Sequence, residues 1–133
     1  MTAVDFGEWA AVDGLPLKLG GRTYVVSPPS VRAMSQVLAA AVRAEVNLGL
    51  VKGEIPAEVQ AVLDDIKPGE HPGLGDVYDQ LAADDVPQVV VDRMTYYAVF
   101  YWARGKAYAD SLATILWTPR DVGGGADTAA PKG

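Results

Sequence analysis

The chain has 133 residues, half of them apolar, no cysteine and a formal charge of −6, which is enough for one hydrophobic core and leaves no disulfide framework or zinc-thiolate site to consider. Its acidic residues are concentrated: between Glu54 and Asp92 ten face a single base, Lys67. A surface of that sign repels a phosphate backbone and argues against nucleic-acid binding, and reads first as a solvated face.

Residues 5–13 place Phe6, Trp9 and Val12 at helical spacing and predict one or two helical turns laid against the body, stopped at Gly14. No basic start precedes a long apolar run, so a signal peptide is not expected, and the most apolar window, 89–103, is shorter than the roughly 18 to 20 residues of a membrane span. The segment LPLKLGGRTYVV follows: Leu15, Leu17 and Leu19 alternate, Gly20-Gly21 supplies a two-residue turn, and the chain returns through Val26. This predicts a β-hairpin over about residues 15–26, leaving an open edge for assembly.

Pro28 and Pro29 stop the strand and Ser30 is placed as an N-cap. A helix is expected over 31–50, with Val31, Met34, Leu38, Ala41 and Val42 inward and Arg32, Arg43 and Glu45 outward. Pro56 opens a shorter helix over 57–66 with Val59, Val62, Leu63 and Ile66 inward. KPGEHPGLG, residues 67–75, is a loop, and a short helix runs from Gly75 to about Asp84-Asp85.

The stretch 86–117 holds most of the aromatic residues. After Pro87 a central helix is expected, with Val90, Met94, Tyr97 and Tyr101 as the core ladder and Val91, Ala98 and Trp102 beside it. Gly105 interrupts it, and a last helix over 107–117 turns Leu112, Ile115 and Leu116 to the body. The fold class is therefore mainly α (α+β): an N-terminal hairpin on a bundle of about five helices, one domain over 1–117, and a disordered, flexible tail over 118–133 that is rich in Gly, Pro and small residues.

Catalytic chemistry finds little to work with. His71 is the single histidine and lies in the Pro/Gly loop with no nucleophile beside it. The doublets Asp64-Asp65 and Asp84-Asp85 diverge on a helix and read as solvated helix ends. No enzyme, cofactor or metal site is expected. The residues singled out for a partner are Arg93, Tyr97, Phe100 and Arg104, a stripe spaced by four, three and four on the central helix, in residue types enriched at interfaces.

Three segments, DFGEWAAVDGLPLKLGGRTYVVSPPSV, LGDVYDQLAADDVP and YWARGKAYADSLATILW, in this order and spacing, resemble the tail assembly chaperones of long-tailed (siphovirus-type) phages of actinobacteria. The likeness covers most of residues 5–117. It implies a non-enzymatic viral protein of the host cytoplasm, absent from the mature virion, that binds the tape measure protein, keeps it soluble and promotes tail tube assembly. It further implies the shorter product of a programmed frameshift pair, with the tail tube protein, the longer product and further copies of itself as partners, and no nucleic acid or membrane. The readings set beside it are a structural tail or connector protein retained in the virion, and a small acidic regulatory binding protein.

Overall fold

The computed structural model describes residues 3–7, 10 and 12–118. Over them the chain runs β1 (Leu15–Leu19), β2 (Arg22–Val26), α1 (Val31–Asn47), α2 (Ala57–Asp64), α3 (Val77–Ala83), α4 (Gln88–Arg104) and α5 (Lys106–Trp117). A hairpin on five helices is the architecture expected. The tail expected over 118–133 falls, apart from Thr118, outside the described residues.

The hairpin closes where the alternation requires. Leu15 lies opposite Val26, Leu17 opposite Tyr24 and Leu19 opposite Arg22. Gly20 alone of the turn pair takes a positive φ, +61°, the requirement of a type II′ turn, whose twist matches that of the strands. One face buries Leu15, Tyr24 and Val26, while Lys18 and Val25 point to solvent. An ion pair from Arg22 to Asp84 ties the hairpin to the end of α3, and the Tyr24 hydroxyl donates to the same carboxylate at 2.6 Å. Asp84 is thus a tie between elements and not the solvated helix end expected of it.

Of the one or two turns expected over 5–13, residues 8, 9 and 11 lie outside the described residues. The Ala10 N–H donates to the Phe6 carbonyl at 2.7 Å, and Phe6 and Val12 are exposed instead of lying on the body. Trp9 lies outside the described residues. Ser30 does cap α1, its hydroxyl accepting from the Ala33 N–H at 3.1 Å.

Helix α4 runs between two cores. Leu15, Tyr24, Val26, Leu74, Val77 and Leu81 pack on its Val91 and Ala98. Val37, Ala41 and Ala44 of α1 and Ala109 of α5 pack on its Val99 and Phe100. The expected ladder of Val90, Met94, Tyr97 and Tyr101 is only half-buried. Because α4 is covered on two sides, its fully buried positions flank that ladder, and Tyr97 and Tyr101 between them touch both cores, the Tyr97 hydroxyl reaching Asp110.

Two further helix faces are corrected in the same way. Of the five α1 residues expected inward only Ala41 is buried; Val31 is 93% exposed and Leu38 is exposed as well. Glu45, expected outward, is buried instead. On α5 the chain reverses at Gly105, whose φ of +99° and ψ of 166° belong to a region open to glycine alone. That reversal lays α5 back on α4 through Tyr108, Ala109 and Leu112, and leaves Ile115 and Leu116 exposed.

Candidate partner-binding surface

The stripe Arg93, Tyr97, Phe100 and Arg104 does lie along one side of α4, since its steps of four, three and four return nearly to the same angle. The structure nevertheless divides it. Phe100 is 2% exposed, packed on Tyr108 with ring centroids 5.6 Å apart, and so belongs to the core and presents nothing to a partner. Arg104 is committed within the chain: its Nη2 donates to Glu45 Oε1 at 2.8 Å and its Nε to Oε2 at 3.1 Å, the two-pronged geometry a guanidinium makes with a carboxylate. The Tyr108 hydroxyl donates to Glu45 Oε2 at 2.6 Å, so one carboxylate of α1 joins α4 and α5. These hydrogen bonds, Arg104's foremost, hold the Glu45 carboxyl below its ordinary range against the opposing effect of burial.

Of the four, Phe100 is buried and Arg104 is exposed but engaged by Glu45, which leaves Arg93 and the half-buried Tyr97 as the pair without such a commitment to α1. Arg93 is exposed, its guanidinium 5.9 Å from the centre of the Trp117 ring, and with Tyr97 it lines a cleft of about 340 Å³ between β1, α4 and α5 that also takes in Leu17, Met94 and Trp117. The Tyr97 hydroxyl donates to Asp110, whose carboxylate also pairs with Lys106 at 2.6 Å. Burial and then the Asp110 carboxylate push the Tyr97 phenol up to about 12. The burial of Phe100 follows from Gly105: the helix that folds back over it is the one that Gly105 redirects.

The larger bare surface lies elsewhere. Val31, Met34, Leu38 and Val42 of α1 and Val59 and Val62 of α2 line an open trough of about 720 Å³. Its α1 wall is the very stripe expected to point inward. The 3.6-residue pattern identified an apolar face correctly, and within the described residues Val31 and Leu38 of it are exposed while Met34 and Val42 are half-buried. Leu48, Leu50 and Val51, past the end of α1, add further exposed apolar groups. Contiguous exposed apolar side chains in a groove are a feature that docking sites share.

The other polar groups singled out in the sequence are placed as follows. His71 stacks flat on Tyr78, with centroids 3.5 Å apart and planes at 8°. Asp64 accepts from the Gln60 amide at 2.7 Å, and among the described residues no three His, Asp or Glu side chains gather to hold a metal ion. Among them, too, no helix is long and apolar enough to cross a membrane.

Neither the comparison with curated proteins nor that with solved structures yields a match. A family model matches residues 4–132, and the chain belongs to that family, which is described as a domain of unknown function, DUF7426.

Proposed function

We propose that this protein is a phage tail assembly chaperone that binds the tape measure protein, keeps it soluble in the host cytoplasm and promotes tail tube assembly, as the shorter member of a frameshift pair. The observation that supports the reading best is the open trough between α1 and α2, an apolar groove in which Val31 and Leu38 are exposed. An amphipathic helix of a long partner offers the complementary face, an apolar stripe at i, i+3, i+4 and i+7 laid into a groove. The acidic middle of the chain supports it too: a coat of such subunits carries charge that keeps the coated partner dispersed. Binding through a groove needs no reacting group, and the resemblance that suggests the role brings no catalytic residue with it.

The test is co-expression with the tape measure protein encoded beside it. The expected result is a gain in that protein's solubility and its co-purification, both lost on Leu38→Glu in the trough. Unchanged solubility and no co-purification would overturn the reading. Detection of the chain in purified virions would favour a structural tail protein instead.

A further inference from the structure

The two outer edges of the hairpin are built differently. In an antiparallel pair every second residue turns its N–H and C=O toward the partner strand, and the others turn theirs outward. With Leu19 opposite Arg22 across the turn, the inward set is Leu15, Leu17 and Leu19 with Arg22, Tyr24 and Val26. The outward set is Pro16 and Lys18 on β1, and Thr23 and Val25 on β2. Proline has no N–H to offer and lysine brings a charge, and natural sheets use both to close an edge to further strands. β2 has neither. Thr23 and Val25 are β-branched, the type that strands favour; Val25 is 55% exposed, and no described residue hydrogen-bonds the backbone of either on the outer side.

That edge opens on a cleft of about 400 Å³ between the end of β2, the start of α1 and residues 70–77. Val25 and Ser27 line it, together with Glu70, His71 and Asp76. His71 is held by its stack on Tyr78, while Glu70 is held by the Lys67 N–H at 2.9 Å and by Arg32. Asp76 is in no ion pair among the described residues. Glu70 is thus already matched by Arg32, and Asp76 is the carboxylate lining the cleft that is left without a counter-charge among the described residues.

We propose that the outer edge of β2 binds an extended, basic segment of a partner protein as a third strand. The segment's backbone pairs with Thr23 and Val25, which lie about 6.8 Å apart along the strand. A Lys or Arg side chain of the segment then meets the unpaired Asp76 across the cleft. Charge complementarity selects a foreign chain over a second copy: pairing β2 with itself would bring two Asp76 carboxylates together on a chain already at −6. The ladder ends where Pro28 and Pro29 interrupt it, so the segment pairs over a few residues only.

The test uses the full chain, isotope-labelled, with three synthetic peptides: one alternating Lys and Val, the same peptide N-methylated on alternate backbone nitrogens, and its counterpart with Glu in place of Lys. The first is expected to bind saturably, to slow hydrogen exchange at the Thr23 and Val25 amides, and to weaken as salt rises. The N-methylated and Glu peptides should bind about tenfold or more weakly. Val25→Pro, which copies on this edge what Pro16 does on the other, should weaken the first peptide similarly, and Asp76→Asn should reduce the salt dependence. Should Val25→Pro fail to fold by circular dichroism, the comparison of the three peptides on the unsubstituted chain decides. Absence of saturable binding, equal binding of the N-methylated peptide, or perturbation confined to the α1–α2 trough would overturn the proposal. So would concentration-dependent protection of the Thr23 and Val25 amides without peptide, which would give the edge to a second copy.

Discussion

Helix α1 presents two apolar faces that meet opposite fates. The face built from Val37, Ala41 and Ala44 is buried against α4, and the face built from Val31, Met34, Leu38 and Val42 lies open beside α2. The larger side chains are on the open face. Close approach of two helices is decided by how near their backbones can come, which small residues permit, and not by which stripe is the more hydrophobic. The buried face also carries the charge of Glu45, tolerated there because Arg104 and Tyr108 supply hydrogen bonds to both its oxygens. Hydrophobic bulk alone is thus a poor guide to the inside of this protein, and its excess on the outside is what a binding partner would use.

The contrast between the faces can be broken most severely at Phe100, the side chain of α4 on which the packed face rests. Phe100→Ala should cost about 3 to 5 kcal/mol in urea denaturation, the range for emptying a core aromatic site; a cost under about 1 kcal/mol would mean that α1 and α4 do not rest on it. Next in size, Arg104→Ala leaves Glu45 buried with its main partner gone and should cost about 2 to 3 kcal/mol near neutral pH. The accompanying pH dependence has a definite sign. The Glu45 carboxyl is lowered in the folded state from its ordinary value of 4.5, so its contribution is complete above that value and is lost as the pH falls through the depressed one. Melts recorded across that acid range should show the loss in the unsubstituted chain and a shallower limb in Arg104→Ala.

A smaller effect is expected at the reversal. Gly105→Ala forces a side chain into backbone geometry that only glycine takes comfortably, at a cost of about 1 to 3 kcal/mol, and should loosen α5 first, seen as faster hydrogen exchange at Ala109 and Leu112. The smallest effect sharpens the comparison from the other side. Leu38→Glu, on the open face, should change stability by less than about 0.5 kcal/mol while abolishing capture of the partner. A large loss of stability there would show that the trough is internally supported and not a docking surface.

How much of this was legible follows the distance over which each feature is encoded. The hairpin, its turn at Gly20-Gly21, the Ser30 cap and the break at Gly105 were readable because each is specified within a few residues by chain sterics and local hydrogen bonds. The proposed contact stripe was half readable. Arg93 and Tyr97 do share a surface cleft, but Phe100 is covered where α5 returns over it and Arg104, though exposed, is taken up by Glu45 of α1, and no periodicity within α4 records either partner. The Glu45–Arg104 pair joins residues 59 positions apart and left no local trace, since a charged residue at a helical position reads as outward unless its partner is already known. The trough was legible as an apolar stripe and illegible as a surface.

By itself the sequence determined the elements, their order and which of their faces are apolar, because those properties follow from residue spacing and backbone preference. Only the tertiary structure decided which apolar face is covered. That choice depends on the angle at which α5 leaves Gly105, on the small residues that let α1 close on α4, and on the Glu45 pair that fixes their register. These are properties of pairs of elements, set by mutual packing, and they left α1 with one face inside and the other bare.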